Sequence, residues 1–308
     1  MIDVVTSPAT IGIIGGGQLG RMLAQSAKSM GYRVGILEPT PNSPAGQVAD
    51  FQITAPYNDQ AALKQLADAS DVLTYEFENV DLAALEAVRS ETRIPQGTAI
   101  LAITRDRIKE KTFLKTHGVP VTPFAAVNRA AELAQAVATI GLPSILKTTT
   151  GGYDGHGQQD INTPDDFPAA RELLTHGPCI LEKRQQFDRE VSVMMTRDGR
   201  DQVRVFPIVE NRHQHHVLHL TLAPAPNISP VLAKKIDDLA TKISLGLDLR
   251  GVLGVELFIE GDNVVANELA PRPHNSGHYS IEACNFSQFD AHILSIRGLS
   301  LIHISEPT

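Results

Sequence analysis

The sequence contains no tryptophan and only two cysteines, Cys179 and Cys284, among its 308 residues. The two cysteines stand far apart, so the sequence predicts neither a disulfide framework nor a cysteine-based metal site. We expect both to be reduced, buried thiols of a cytoplasmic protein. The sequence also lacks an apolar run as long as a membrane span, and its first residues lack the basic start and apolar core of a signal peptide.

An excess of positive charge is also missing. Lysine and arginine total 27 against 35 aspartate and glutamate residues, which gives a net charge of −8. This balance argues against broad electrostatic binding to nucleic acid. With 42% hydrophobic and 20% charged residues, the chain has the composition of an ordinary globular protein, and its length suffices for two or three domains.

The first hundred residues alternate between strand and helix patterns. An apolar strand at residues 10–14 is followed by Gly-Gly-Gly-Gln-Leu-Gly at 15–20, then by a helix and by a second strand that ends on Glu38. This order is the dinucleotide-binding fingerprint, which makes an NAD-dependent oxidoreductase one hypothesis. The same turn also serves any unit that brings a ligand to a helix N-terminus.

Further alternation predicts an α/β fold with a Rossmann-like, doubly wound parallel sheet, and we place the first domain at residues 1–100. The expected elements are strands at 33–37, 51–53 and 71–76 and helices at 21–30, 60–69 and 82–88. In such sheets ligands bind at the carboxyl ends of the strands, where Gln18, Glu38 and Glu76 lie. Glu76 and Glu78 have a second interpretation, as caps of the helix that follows them.

Beyond residue 100 the strands pair as hairpins, which predicts an α+β domain with antiparallel sheets over residues 101–298. Its first element is a helix at 98–117 that carries five basic side chains, Arg105, Arg107, Lys109, Lys111 and Lys115. Arg107 and Lys111 are four residues apart and therefore share a face of this helix. The usual meaning of such a run is a solvated cationic surface.

A glycine-rich loop follows the strand that begins at Pro143. The strand delivers Lys147 into Thr-Thr-Thr-Gly-Gly-Tyr-Asp-Gly-His-Gly-Gln at residues 148–158. Glycine backbone can aim consecutive N–H groups at an anion, and a lysine beside it suits phosphate oxygens. Asp154 is unexpected in a loop that only holds phosphate, and it suggests that a neighbouring group is deprotonated or positively charged. A mobile hairpin tip is the alternative; the Walker pattern is absent, because no Lys-Ser/Thr follows the last glycine.

Two later strands carry polar residues at their ends. The apolar strand at 178–182 runs into Lys-Arg-Gln-Gln at 183–186, and an extended backbone of this kind can pair with the edge of adenine. Glu190 begins the next strand, where its carboxylate could accept from ribose hydroxyl groups. Either feature alone is more often an ordinary strand end.

Histidines cluster after a further strand at 203–209. His213, His215, His216 and His219 suggest a zinc site at first sight. No cysteine joins them, and strand alternation sends His216 to the face opposite the others. We therefore do not favour zinc.

The strongest hairpin signal lies between apolar strands at 252–259 and 264–269, which flank Glu-Gly-Asp-Asn at 260–263. A three-residue turn centred on Asp262 would place Glu256 directly opposite Glu268. Two carboxylates side by side in an apolar sheet repel unless a cation lies between them, and oxygen ligands suit Mg²⁺ that also contacts ATP phosphates. A register slip of one residue would separate the two acids onto opposite faces.

A rigid basic loop follows this hairpin. Pro271 and Pro273 exclude a helix interior or a central strand, so they fix the direction of Arg272 between them. An arginine held beside a metal–phosphate centre can stabilise developing negative charge.

Taken in order, these motifs resemble those of the ATP-grasp superfamily and, within it, the N5-carboxyaminoimidazole ribonucleotide synthases of purine biosynthesis. The motifs are Lys147, the Gly-Gly-Tyr-Asp-Gly-His-Gly-Gln loop, Glu182-Lys183, Arg189-Glu190-Val191-Ser192, Glu210-Asn211-x-His213, Glu256 and the run from Asn267 to His278. The resemblance covers about residues 10–298. It implies that ATP phosphorylates bicarbonate, that carboxyphosphate then delivers CO₂ to the amine of 5-aminoimidazole ribonucleotide, and that the protein is a homodimer.

The resemblance also implies roles for individual positions. The ATP contacts would be Arg107, Lys147, Gly152, Tyr153, Asp154, Gly155, His156, Gly157 and Gln158 at the phosphates, Glu182, Lys183, Arg184 and Gln185 at adenine, Glu190 at the ribose, and His213, Asn267 and Glu268. The ribonucleotide contacts would be Gln18, Glu76, Tyr153, Asp154, His156, Arg272 and Asn275. Glu256 and Glu268 would bind Mg²⁺. Catalysis would fall to Tyr153, Asp154, Arg272 and His274, with Asp154 as the proton acceptor.

The sequence departs from the family pattern in two places. His156 stands where the family usually has lysine or arginine, which predicts a weaker and pH-dependent phosphate contact. Residues 299–308 resemble no family segment, so we expect a truncated chain that lacks the small C-terminal domain. Two alternatives follow: an inactive, truncated ATP-binding remnant, and another ATP-grasp ligase such as the formate-dependent transformylase, which offers no reason for Tyr153 and Asp154.

Overall fold

The computed structural model describes residues 4–151, 156–214 and 217–299, and its N-terminal part is built on a parallel sheet. Four strands, β1 (Thr10–Ile14), β2 (Arg33–Leu37), β3 (Phe51–Ile53) and β4 (Val72–Tyr75), pair in the order β3-β2-β1-β4. The helices are α1 (Gln18–Ser29), α2 (Gln60–Asp68) and α3 (Leu82–Val88). This order confirms the predicted Rossmann-like fold class.

Alternating side chains of the parallel sheet contact helices on both of its faces. Ile11 and Ile13 of β1 pack with α1 in one apolar cluster. Ile14 packs with α2 and α3 in another. The sheet is therefore doubly wound, as its apolar strands predict.

The prediction of one continuous helix at 98–117 is wrong, because the structure has two helices there, α4 (Ala99–Thr104) and α5 (Arg107–Thr116). Asp106 adopts an extended backbone and caps α5, since its carboxylate accepts from the backbone N–H groups of Ile108 and Lys109. The interpretation as a solvated cationic surface is also wrong for Lys111, whose side chain is buried.

A small antiparallel sheet follows. Its strands are β5 (Phe124–Val127), β6 (Ser144–Thr148), β7 (Gln158–Ile161) and β8 (Cys179–Lys183), in the order β5-β8-β6-β7. Two helices, α6 (Leu133–Ile140) and α7 (Phe167–Leu173), pack on it. Cys179 is buried in this layer, whereas Cys284 is only half-buried, contrary to the prediction for both thiols.

The largest sheet has six strands, β9 (Arg189–Arg197), β10 (Val203–Val205), β11 (Val209–Gln214), β12 (Val217–Leu222), β13 (Gly251–Glu260) and β14 (Asn263–Ala270). They pair antiparallel in the order β12-β11-β9-β13-β14, with β10 beside β9. The single strand predicted at 203–209 is wrong, because residues 206–208 separate β10 from β11 and include Pro207, which has no N–H to donate. Helix α8 (Pro230–Gly246) packs its apolar face on this sheet.

Two last helices, α9 (Ser280–Ala283) and α10 (Gln288–Ile296), join the sheets. Phe289 and Ile293 of α10 pack into the α1 face of the parallel sheet. The buried His292 ring contacts Thr74 Oγ1 of β4 at 2.7 Å and accepts from the Val252 N–H of β13 at 3.2 Å. The large sheet and the parallel sheet are thus connected through α10, and the domain boundary near residue 100 stays a prediction. No helix in the described part of the chain is long and apolar enough to cross a membrane.

Candidate active site

The structure places Glu256 directly opposite Glu268 in the β13–β14 pair, which confirms the predicted pairing of the two acids. The predicted three-residue turn is wrong: Glu260 pairs with Asn263, so the turn has two residues. A bulge between Glu256 and Leu257 makes up the difference, because Leu257 pairs with Ala266 and leaves Asn267 as the extra residue.

The two carboxylates are in different electrostatic states. Burial, and then the charge of Glu268, raise the pKa of Glu256 to about 7. Burial also acts to raise the pKa of Glu268. The Arg107 guanidinium, with Nη1 3.1 Å from Glu268 Oε2, nevertheless holds this pKa below its ordinary value. A cation between the two acids would relieve their repulsion and return Glu256 to the ionised form.

The donors at this pair fit Mg²⁺. Within residues 4–151, 156–214 and 217–299, no group of three or more His, Cys, Asp or Glu is arranged to hold a metal ion. Mg²⁺ is commonly held by one or two carboxylates together with substrate phosphates and water, whereas structural zinc requires four protein ligands. Two opposed glutamates therefore suit Mg²⁺; His215 and His216 lie outside the described residues.

Two lysines, Lys147 of the small sheet and Lys111 of α5, contact the Glu182 carboxylate. Lys147 Nζ on β6 lies 2.8 Å from Glu182 Oε2, and Lys111 Nζ lies 3.8 Å from the other oxygen of the same carboxylate. Burial would raise the pKa of Glu182, but the charges of Lys111 and Lys147 lower it, so the carboxylate is ionised. The Glu182 side chain is therefore held by two lysines.

The segment predicted to line adenine, residues 182–185, begins in β8 and continues beyond its end. The Lys183 ammonium donates to the Leu142 carbonyl at 2.6 Å, and the exposed Arg184 guanidinium lies 3.6 Å from Asp160. The Gln185 side-chain amide donates to the Gln186 carbonyl. Nearby, Phe187 stacks on Phe258 with ring centroids 4.6 Å apart.

Glu190 and His213 meet across β9 and β11, where their side chains form a close ion pair. The hydrogen bond to Glu190 raises the pKa of His213 above its ordinary value. Both predicted nucleotide contacts therefore lie together on the large sheet.

The Pro-Arg-Pro segment connects the acid pair with the first sheet. The Arg272 guanidinium makes a two-point ion pair with Glu78, through Nε and through Nη2 at 3.2 Å. His274 Nε2 lies 3.5 Å from Glu256 Oε1, and its Nδ1 lies 2.8 Å from the Ser276 hydroxyl. Burial lowers the pKa of His274 to about 4, so the ring is neutral at pH 7.

Glu76 occupies the N-terminus of α1, where Gly17 N–H donates to its carboxylate at 2.5 Å and Gly20 N–H donates to the other oxygen. The alternative role as a cap of the following helix is wrong, because that position in α3 belongs to Asp81. Glu38 is also engaged, by Gly16 N–H at 2.9 Å and by the Tyr57 hydroxyl. A dinucleotide pyrophosphate would need the same N–H groups, so the geometry disfavours the NAD hypothesis.

Other predicted residues lie around these groups. The exposed Gln18 side chain approaches His278 Nε2 at 3.4 Å, which brings the first sheet to the basic loop. Asn275 and His156 are exposed. Gly157 has φ +74 and accepts from Thr148 N–H at 2.8 Å, while Gln158 pairs with Lys147. The predicted residues Gly152, Tyr153, Asp154 and Gly155 lie outside the described residues.

Sequence reasoning missed three participants: Glu78 as the partner of Arg272, and Glu110 and Lys111 on the buried face of α5. The only signal for Lys111 is its four-residue spacing from Arg107, which places both on one helix face. Glu110, three residues from Arg107, has the same kind of signal.

Comparison with known proteins supports the resemblance to ATP-grasp proteins that the sequence motifs indicate. A model of the ribonucleotide synthetase preATP-grasp domain matches residues 8–105, and a model of the ATP-grasp domain matches residues 112–289. N5-carboxyaminoimidazole ribonucleotide synthase of Bacillus subtilis is 46% identical over 300 residues, which cover 97% of this chain and 79% of the relative.

Solved structures of similar proteins contain nucleotides. N5-carboxyaminoimidazole synthetase of Staphylococcus aureus complexed with ADP is 42% identical with a TM-score of 0.94, over 97% of this chain and 80% of that one. The synthase of Aspergillus clavatus in complex with ADP and 5-aminoimidazole ribonucleotide is 37% identical with a TM-score of 0.91, over 97% and 79%. Both domain models match, and the identity extends over nearly the whole chain. The chain therefore belongs to the N5-carboxyaminoimidazole ribonucleotide synthase family of ATP-grasp proteins.

Proposed function

We propose that this chain is an ATP-dependent carbon–nitrogen ligase that carboxylates 5-aminoimidazole ribonucleotide to N5-carboxyaminoimidazole ribonucleotide, with bicarbonate as the carbon source. The observation that carries the proposal is the opposition of Glu256 and Glu268 beside Arg107, in a chain of this family. Neither the remnant nor the transformylase alternative is favoured by a feature of the site.

Phosphate binding falls first to two cations that face carboxylates. Arg107 and Lys147, with the loop at 152–158, hold the ATP phosphates. Mg²⁺, when bound between Glu256 and Glu268, would neutralise phosphate charge and so favour attack on the terminal phosphorus. The Lys147–Glu182 contact of 2.8 Å holds the lysine in place.

The nucleoside part of ATP lies between the small and the large antiparallel sheets. We assign the segment at 182–185 to adenine, while Glu190, with its partner His213, accepts from ribose hydroxyls. The contact with His213 holds the Glu190 carboxylate in place as a hydrogen-bond acceptor.

The ribonucleotide binds between the parallel sheet and the basic loop, where Gln18, Glu76, Asn275 and His156 are the contacts we assign. Arg272, aimed by its prolines and by Glu78, stabilises charge on the carboxyphosphate. The neutral His274 ring lies beside Glu256 and adds no positive charge there.

Carbon–nitrogen bond formation requires a base. Carboxyphosphate breaks its carbon–oxygen bond to give CO₂ and phosphate, the substrate amine forms the new bond to CO₂, and the amine proton passes to Asp154. We assign Tyr153 to the same step, in which water must be kept from the carboxyphosphate. A homodimer in the cytoplasm remains our prediction for the working protein.

The direct test measures phosphate release from ATP with bicarbonate, with and without 5-aminoimidazole ribonucleotide, together with incorporation of labelled bicarbonate into an acid-labile product. We expect the ribonucleotide to stimulate both. The Bacillus subtilis relative serves as the positive control of the assay. Nucleotide binding without stimulated release would favour the remnant, and label incorporation from formate instead would favour the transformylase.

A further inference from the structure

One face of helix α5 contacts strand β14 through three side chains, Arg107, Glu110 and Lys111, which are spaced i, i+3 and i+4. Arg107 reaches the Glu268 carboxylate at 3.1 Å. Glu110 accepts from the Leu269 N–H at 3.2 Å. The Lys111 ammonium donates to two backbone carbonyls, Ala266 at 3.2 Å and Asn267 at 2.7 Å.

The two carbonyls that Lys111 contacts are consecutive, which is unusual for a strand. In a regular strand successive carbonyls point in opposite directions, so one side chain does not contact two in a row. Here Asn267 is the extra residue of the bulge, and its carbonyl accepts from the same ammonium group as that of Ala266. Lys111 therefore bonds to the bulge itself and not to the strand in general.

The bulge decides which face Glu268 occupies. Leu257 pairs with Ala266, so an uninterrupted ladder would pair Glu256 with Asn267 and place Glu268 on the opposite face of the sheet. With the bulge, Glu268 pairs with Glu256 instead. The bulge, whose two backbone carbonyls Lys111 contacts, thus decides whether Glu256 and Glu268 lie on the same face of the sheet.

The burial of Lys111 is costly and requires compensation. Its side chain is 2% exposed, and a cation at such a position is tolerated only with hydrogen-bond partners and counter-charge. Both carbonyls and the Glu182 carboxylate at 3.8 Å provide them. An apolar side chain would fill the same volume without this cost, so the ammonium group has a role beyond packing.

We infer that Lys111, assisted by Glu110, is a positioning residue that holds the bulge at Asn267 and thereby sets the Glu268 carboxylate opposite Glu256. The inference rests on the proposed Mg²⁺ role of the acid pair. It assigns to α5 a part in metal-dependent nucleotide binding without direct contact with the metal or the nucleotide.

The test measures how strongly Mg²⁺ tightens binding of β,γ-methylene ATP, by calorimetry in chelator and in saturating Mg²⁺. For Lys111→Met we expect the ratio of the dissociation constant in chelator to that in Mg²⁺ to fall about tenfold, because the coupling between metal and nucleotide is lost. The dissociation constant in chelator should change by less than about threefold. The exposed Lys115→Met on the same helix is the matched control and should keep the wild-type ratio.

A purely structural role predicts a different result. Near-UV circular dichroism shows whether Lys111→Met is folded. If the folded variant loses stability but keeps the wild-type ratio of dissociation constants, the inference is overturned. An equal loss of affinity in chelator and in Mg²⁺ would also overturn it. Lys111→Gln, whose side chain is shorter and uncharged, decides the question where the methionine variant does not fold; an unchanged ratio in it would again overturn the inference. Glu268→Gln, measured in parallel, separates the two proposals, because an unchanged ratio there refutes the metal site and not the positioning role.

Discussion

At the scale of single residues, the glycines of 15–20 make room for a side chain of the same protein. A Cβ atom at Gly15 would lie 2.3 Å from Glu76 Cγ, and one at Gly17 would lie 2.9 Å from Glu76 Oε1. The glycine pattern therefore serves the contact between Glu76 and the N-terminus of α1. A sequence motif usually associated with pyrophosphate has a carboxylate in the position of the anion.

This close approach predicts that Gly15→Ala is destabilising. Both the Cβ clash and the backbone φ of +105 oppose it, and we expect the free energy of unfolding to fall by roughly 2–4 kcal/mol. Gly97→Ala is the matched control, because Gly97 has φ +71 but open space around the added Cβ, and should lose roughly 1 kcal/mol. Urea denaturation measures both, and equal losses would contradict the role of Glu76.

A second residue-scale prediction concerns the acid pair. Glu268→Gln removes one of the two charges that would attract Mg²⁺ and removes the ion pair with Arg107. We expect the turnover number to fall at least about a hundredfold while the fold is retained. Phosphate release measured at several Mg²⁺ concentrations checks this, and turnover close to wild type would refute the metal role.

At the scale of elements, α10 connects the parallel sheet with the six-stranded sheet through His292. The ring bridges Thr74 of β4 and Val252 of β13, and burial lowers its pKa to about 3. The folded protein therefore keeps this histidine neutral at a pH where the unfolded chain, with an ordinary pKa of 6.5, is protonated. Acid weakens the junction between sheets because the unfolded state then binds the additional proton.

The sign of this linkage gives a pH prediction. As the pH falls below 6.5, His292 should reduce stability with a slope approaching 1.4 kcal/mol per pH unit, on the order of one proton. His292→Gln keeps an acceptor and a donor but cannot be protonated, so its stability should depend less steeply on pH between about 6.5 and 4.5. Urea unfolding of both proteins over this range is the measurement, and parallel curves would contradict the assignment.

At the scale of the whole molecule, the proposed nucleotide and metal site lies where three sheets meet, so binding there should stabilise the entire chain. A ligand at a hundred times its dissociation constant stabilises the folded state by about 2.7 kcal/mol. We expect β,γ-methylene ATP with Mg²⁺ to raise the melting temperature and the analogue with chelator to raise it less. Glu268→Gln should abolish the difference between the two conditions; a difference of wild-type size would argue against the site.

Much of the site could be predicted because its motifs are local. The Gly-Asp turn between apolar strands predicted the β13–β14 hairpin, and the two proline residues predicted a rigid segment around Arg272. The turn length was wrong, and the pairing of Glu256 with Glu268 was nevertheless right, because a bulge at Asn267 compensates for the shorter turn. Local patterns do not reveal such a bulge, since it is fixed by contacts from elsewhere.

The sequence alone determined the alternation of strands and helices in the first sheet, the hairpins of the second part, and the order of the charged motifs. Only the tertiary structure decided that Lys111 is buried against β14, that Glu76 closes the N-terminus of α1, and that Glu78 aims Arg272. The physical reason is separation along the chain: Lys111 and Asn267 are 156 residues apart, and Arg272 and Glu78 are 194 apart. Hydrophobic periodicity and turn chemistry act over a few residues, whereas a buried charge finds its partners only once the sheets have packed.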